Sequence, residues 1–252
     1  MSNSKLVAYT RWSPNHSGKR NHKIDRISPH CVVGQCSIET LGSIFANKSR
    51  QASCQYGIGK DGRIGQYVSE ANRSWCTSSA ANDNRAVTIE CASNTKSPYK
   101  MNKKVINSLI KLMVDICKRN GKTKLLWLGN KSKSLNYSPK SNEMVITCHR
   151  WFANKSCPGD FLYKKLGSIA KEVTKQLGGS TPAPKPAPAP SKSYKVKVTA
   201  DVLNVREKPN ASCKIKGKIK NGEVYTIVST SKGWGKLKSG AGWINLAYTK
   251  KV

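Results

Sequence analysis

The stretch His149-Arg-Trp-Phe-Ala-Asn-Lys155-Ser-Cys157-Pro158-Gly159 sets an imidazole, an ammonium and a thiol within nine residues, with Pro-Gly directly after the thiol. Histidine and cysteine are preferred ligands of zinc. The chain has four histidines, which makes the search for a third ligand short. His30, in Ile27-Ser-Pro-His30-Cys-Val-Val, is the best candidate. Two His and one Cys would leave the fourth corner of a tetrahedral ion open, which distinguishes a catalytic zinc from a structural one. Taken alone, each residue has a plainer reading: a satisfied or surface histidine, a core cysteine. The joint pattern carries the expectation that His30, His149 and Cys157 hold zinc.

Such an ion would acidify water and polarise a carbonyl, and a hydrolase also needs a general base. Glu90 ends the strand-like run Ala86-Val-Thr-Ile-Glu90, where alternation puts it on the face opposite Ile89. An inward acid is costly unless it serves a purpose; the alternative is a surface carboxylate in a salt bridge. Lys155, two residues before Cys157, is placed to aim its ammonium at an oxyanion. Its spacing alone separates it from the other lysines.

These residues must be positioned by a larger fold. The Pro/Ala-rich stretch Gly178-Gly-Ser-Thr-Pro-Ala-Pro-Lys-Pro-Ala-Pro-Ala-Pro-Ser191 reads as a semi-rigid spacer. It divides the chain into residues 1–178, a linker at 179–193, and residues 194–252. In the first part, helices are expected over Ser37–Asn47, Asn102–Asn120 and Phe161–Leu177. The second of these repeats Val105, Ile106, Leu109, Leu112, Met113 and Ile116 at three-four spacing before Gly121. Strands are expected over Tyr56–Tyr67, with a turn at Lys60-Asp-Gly62, over Arg85–Cys91 and over Met144–Cys148. His149 then falls just past a strand, and His30 precedes a Val32-Val33 run near another. This is an α/β domain with a central mixed sheet flanked by helices. The tail has short β-runs at Tyr194–Val205, Cys213–Lys218, Glu223–Ser229, Trp234–Lys238 and Gly242–Leu246, which read as a small all-β barrel.

The chain carries a net charge of +32. Residues 1–178 hold 30 basic and 10 acidic side chains, and residues 194–252 hold 13 and 3. Both parts are basic, which speaks for a polyanionic partner and against a single nucleic-acid-binding tail. No helix-turn-helix, finger or aromatic-basic motif is present. The nine cysteines lack C-x-x-C spacing and the N-terminus lacks an apolar signal core, which fits free thiols in a reducing cytosol.

Residues 20–177 resemble the type-2 N-acetylmuramoyl-L-alanine amidases, the family that includes peptidoglycan recognition proteins. The resemblance is carried by His30 after an Ile-containing strand and by Ser53-Cys-Gln-Tyr-Gly-Ile-Gly-Lys-Asp61-Gly62. Asn84-Arg-Ala-Val-Thr-Ile-Glu90 and His149 with Lys155-Ser-Cys157-Pro158-Gly159 add to it. Trp75 is similar to the Trp of the family's Trp-His-Ala-Gly stretch, although Cys76 replaces the His. Gln55 stands where a His is common, and Cys54 where some members place a tyrosine. By position, Trp75 and Gln55 are implied to bind substrate, and Tyr56 to pack. The tail resembles bacterial SH3-type wall-binding domains through Leu203-Asn204-Val205-Arg206-Glu-Lys-Pro209 and the Gly-Trp pairs at 233–234 and 242–243. Arg206, Trp234 and Tyr248 are implied wall contacts there, and Trp243 is expected in the barrel core.

The resemblance implies a zinc-dependent peptidoglycan hydrolase, an endolysin that cleaves between N-acetylmuramic acid and L-alanine. Its expected partners are peptidoglycan and anionic polymers of a Gram-positive wall, with no nucleic acid, no membrane insertion and a monomeric state. It would be made in the bacterial cytoplasm and released through a holin lesion. The alternatives are a non-catalytic peptidoglycan receptor and a Cys/His wall peptidase built on Cys31 or Cys36 with His149.

Overall fold

The computed structural model describes residues 3–178, 193–231 and 233–252. The chain folds as two units, Met1–Thr181 and Pro182–Val252. The expected linker, apart from Ser193, lies outside the described residues.

The first unit contains strands β1 (Val7–Thr10), β2 (His16–Lys19), β3 (Arg26–Cys31), β4 (Tyr56–Ile58), β5 (Ile64–Gln66), β6 (Asn72–Ser74), β7 (Ala86–Cys91), β8 (Lys124–Leu126) and β9 (Glu143–Ile146). Its helices are α1 (Ile38–Ala46), α2 (Ala80–Asp83), α3 (Lys103–Arg119), α4 (Lys131–Leu135) and α5 (Gly159–Gln176). Seven strands form one mixed sheet in the order β1-β5-β4-β7-β3-β9-β8, and β2 pairs with β6 apart from it. The β4–β5 hairpin is antiparallel; β4, β7, β3, β9 and β8 run parallel.

Alternation gives the central sheet two unlike faces. Ile27, Val87, Ile89, Tyr56 and Ile146 point into a core with Leu109, Leu112 and Met113 of α3 and Leu162, Leu166 and Ile169 of α5. Arg26, Ser28, His30, Thr88, Glu90 and Thr147 lie on the other face. Glu90 apart, it is buried and hydrogen-bonded, as burial of polar groups requires. Ser28 meets Thr147 at 2.6 Å, and Asn82 of α2 donates to Ser28 and accepts from Thr147 and Arg26.

The three long helices form where three-four periodicity places them. Asn102 caps α3 by accepting from the Val105 N–H at 3.0 Å, and Gly121 follows at φ +66° as the expected stop. The strand near His30 differs from expectation. It is Arg26–Cys31 with His30 inside it, and Val33 leaves the sheet at φ +58°. Pro29 sits in this inner strand, where the pairing with β9 stops at Ile27. The segments β1, β2, β6, β8, α2 and α4 were not foreseen. Each has three to five residues, too few for a periodic signal.

The second unit is a single antiparallel sheet in the order β12-β11-β15-β14-β13-β10-β16. Its strands are β10 (Tyr194–Val198), β11 (Val202–Arg206), β12 (Ile215–Lys220), β13 (Val224–Ser231), β14 (Trp234–Leu237), β15 (Trp243–Asn245) and β16 (Thr249–Lys251). Its inward residues form one apolar core that includes Val196, Val198, Leu203, Val205, Ile227 and Ile244. The run expected over Tyr194–Val205 is two strands. Trp243 lies outside this core, half-buried, contrary to expectation.

Candidate functional site

A cleft of about 820 Å³ opens at the carboxyl ends of β3, β7 and β9, lined by Glu90, His149, Lys155, Cys157, Trp75 and Cys76 among others. His30 lies beneath it, fully buried. Parallel pairing aligns His30 with Glu90 on adjacent strands and one face. After β9 the chain turns through a short helical turn, His149–Trp151, which brings His149 back over His30 with ring centroids 5.2 Å apart. The loop then returns Cys157 to the same point, its Sγ 3.2 Å from His30 Nδ1. Gly159 starts α5 at φ +79° directly after Pro158; a Cβ there would lie 3.0 Å from Tyr99. Glycine therefore lets the helix begin two residues past the thiol.

The ligand atoms of His30, His149 and Cys157 all lie within 4.8 Å of one another. Burial, helped by His149, holds the His30 imidazole down to about 3. Burial and the Lys155 ammonium also lower His149. Both rings are therefore neutral at neutral pH, the state that ligates a metal. Burial pushes the Cys157 thiol up, with Cys31 and Glu90 adding to it, so a thiolate at this point needs a cation beside it. Glu90 Oε1 lies 3.8 Å from His30 Nδ1, and its other oxygen is buried without a partner. Burial raises this carboxyl to about 7, against the pull of Arg50.

The donor set fits zinc. It offers two neutral imidazoles and one thiol. The 3.2 Å contact is close to the roughly 3.5 Å between two ligands of one tetrahedral ion. A second group, His30, Cys76 and Glu90, has the same compactness and shares His30, but it has one imidazole only.

Two neighbours were not assigned roles from the sequence. Cys76 Sγ lies 3.4 Å from His30 Nε2, on the far side of the ring from Cys157, and Ser78 Oγ lies 3.0 Å from His149 Nε2. Partners on the second nitrogen of a ligating His orient the ring and select its tautomer. Ser78 adopts φ +60°; nothing in its residue type announced that.

Trp75 lines the cleft with its indole N–H donated to Ser17 at 2.6 Å. Gln55 does not reach it. Its side chain is fully buried behind the cleft, accepts from Thr88 N, Thr88 Oγ1 and Ser74 Oγ, and donates to the Asn72 carbonyl. With its amide so occupied, it braces β4 against β7 instead of facing a substrate. Tyr56 packs, fully buried, as expected. All nine cysteines are unpaired, and neither Cys31 nor Cys36 hydrogen-bonds His149 among the described residues. In the second unit, Arg206 and Trp234 are half-buried and Tyr248 is exposed. No helix among the described residues is long and apolar enough to cross a membrane.

A family profile described as N-acetylmuramoyl-L-alanine amidase matches residues 9–160, and one described as bacterial SH3 domain matches residues 201–250. No curated protein matches the chain. Among solved structures, the chain is similar to an N-acetylmuramoyl-L-alanine amidase endolysin, LysCS, from Clostridium intestinale. That likeness has a TM-score of 0.47 and 15% identity over 71% of this chain and 99% of that one. A mutant endolysin from Bacillus subtilis gives a TM-score of 0.48 and 14% identity over 66% and 99%. The Staphylococcus aureus hydrolase AmiA, in complex with its ligand, gives 0.45 and 14% over 70% and 85%.

Proposed function

The chain belongs to the N-acetylmuramoyl-L-alanine amidase family, and from that premise we propose that it is a zinc-dependent peptidoglycan hydrolase of the endolysin kind. It cleaves the amide between N-acetylmuramic acid and L-alanine. The observation that carries this reading is the convergence of His30, His149 and Cys157 beside Glu90, whose second oxygen is buried and unpartnered.

His30, His149 and Cys157 would hold the ion. When bound, zinc supplies Lewis acidity to the carbonyl under attack and acidifies water beside it. Glu90 takes the proton of the attacking water and returns it to the leaving nitrogen of L-alanine. Lys155, on the cleft wall, offers its ammonium to the charge that develops on the carbonyl oxygen. Trp75 presents its ring to the substrate. The second unit, with its excess of lysines, holds the enzyme on the anionic wall of a Gram-positive host. The protein works as a monomer, made in the cytoplasm and freed to the wall through a holin lesion.

Mass spectrometry of digested wall tests the bond. New L-alanine amino ends are expected, abolished by EDTA and restored by zinc. New reducing sugar ends instead would overturn the reading, and lysis indifferent to EDTA would remove the metal from it.

A further inference from the structure

A second depression lies on the first unit. Its volume is about 290 Å³, close to the lower limit of roughly 300 Å³ for small-ligand pockets. Buried Tyr67 and Val68 form its floor, and Trp12, His16, Ser69 and Asn72 stand around it. No Lys, Arg, Asp or Glu lines it, although the chain carries +32 and the cleft beside Glu90 is lined by Arg50, Arg73 and Lys155. Trp12 is 56% exposed. Among the described residues its ring meets no other ring and no cation. Its backbone is nevertheless pinned on both sides: the Arg11 N–H donates to the Gln66 carbonyl at 3.0 Å and the Ser13 N–H to the Tyr67 carbonyl at 2.8 Å. The Gly18 N–H donates to His16 Nδ1 at 3.0 Å, which puts the proton of the neutral ring on Nε2, free for a ligand. Asn72 uses its backbone N–H on Ser69 and its carbonyl on Arg20 and Gln55. Its side-chain amide has no partner among the described residues and keeps both a donor and an acceptor. An exposed, rigidly held indole beside unpaired neutral polar groups suits a neutral, hydroxyl-bearing ligand with one apolar face.

We propose that this depression binds one N-acetylhexosamine residue of the glycan strand, outside the cleft that cuts the amide. The Trp12 ring packs on the apolar face of the sugar. The Asn72 amide pairs with the acetamido group, accepting from its N–H and donating to its carbonyl, and His16 Nε2 donates to a hydroxyl. The position suits a substrate that reaches the cleft. Ser17, next to His16 on β2, accepts from Arg73 and from the Trp75 indole, both on the cleft wall. Asn72 precedes Arg73 on β6. Neighbouring residues of the β2–β6 ribbon thus serve the cleft and this depression, and a strand of linked sugars lying over the ribbon touches both. The proposal rests on the reading of the chain as a peptidoglycan hydrolase.

Calorimetric titration of the full chain with two neutral tetrasaccharides tests it. Chitotetraose bears acetamido groups and cellotetraose does not; neither has the amide that the enzyme cuts. Chitotetraose is expected to bind, and cellotetraose about fivefold more weakly or worse. Trp12→Ala should weaken chitotetraose about tenfold and Asn72→Ala about fivefold, with Trp12→Tyr recovering part of the first loss. An unchanged melting temperature verifies that these variants fold. Raising salt to about 0.5 M should leave this binding constant, unlike the attraction of a polyanion to the basic chain. Full affinity in Trp12→Ala, equal binding of the two sugars, or no binding of chitotetraose at millimolar concentration would overturn the proposal. Digestion of wall separates it from the amidase reading. A chain that binds chitotetraose through Trp12 but releases no L-alanine amino ends refutes the amidase and leaves this depression standing. A chain that releases those ends and binds chitotetraose equally with and without the Trp12 indole keeps the amidase and loses the depression.

Discussion

Cys157 and Glu90 occupy one cleft but are expected to fail in different ways. Cys157→Ser replaces a soft sulfur ligand by a hydroxyl, so the purified variant should lose its zinc by metal analysis, and its activity with it. Glu90→Gln keeps the shape and removes the base: zinc content should stay unchanged while turnover falls about 10²- to 10⁴-fold. A rate within a few-fold of the parent would place the base elsewhere. Cys76, on the far nitrogen of His30, is expected to matter less. Cys76→Ala should weaken zinc binding by about 10- to 100-fold in a competition titration, with Cys76→Ser recovering part of it. That His30, His149 and Cys157 come together was legible because histidines are few here and a thiol before Pro-Gly is distinctive. Gln55 was misjudged because a position in a motif does not say whether the side chain is already saturated by Thr88 and Ser74. Only the fold shows that.

At the level of elements, α1, α3 and α5 were legible because each buries one stripe of a periodic sequence. The sheet's polar face was less so. Glu90 on the opposite side from Ile89 follows from alternation, but the partners of Ser28, Thr88 and Arg26 come from loops distant in sequence. Arg20 is the sharpest case. It is buried and donates to the carbonyls of Glu70, Asn72, Asp83, Asn84 and Ala86, tying the β6 and α2 region to β7. Arg20→Met would strip those acceptors, at an expected cost of about 3 kcal/mol or more in urea unfolding. Glu143 opens β9 and has a clear pH signature. Burial raises its carboxyl, but the Tyr137 hydroxyl, the Lys140 N–H and Lys124 outweigh that and leave it below its ordinary value. A depressed acid stabilises the fold above its unfolded pKa, and that contribution is lost as pH falls through the folded value. Glu143→Gln should therefore flatten the acid limb of melting temperature against pH. An unchanged slope would assign that limb to other carboxylates.

For the whole molecule, composition spoke most directly. A basic excess in both parts pointed to polyanions before any element was placed, and the chain falls into two units, Met1–Thr181 and Pro182–Val252. Deleting residues 179–252 is expected to slow lysis of whole cells about tenfold or more, through lost avidity, while hydrolysis of a soluble muropeptide stays nearly constant. The same proportional loss in both assays would discredit a targeting role. What composition could not supply was the outward placement of Trp243. A tryptophan in a Gly-Trp pair reads as core until the register of β11, β14 and β15 is known.

Pro29 acts as a brake on strand growth. The Thr147 N–H reaches the Ile27 carbonyl at 3.0 Å, so the next rung of that parallel ladder would run from the nitrogen of residue 29 to the Thr147 carbonyl and then from His149 back to residue 29. Proline has no hydrogen to give, and the zipper halts one step before it would pull His149 into line. An ordinary residue there would invite β9 to lengthen and carry an imidazole out of the cleft.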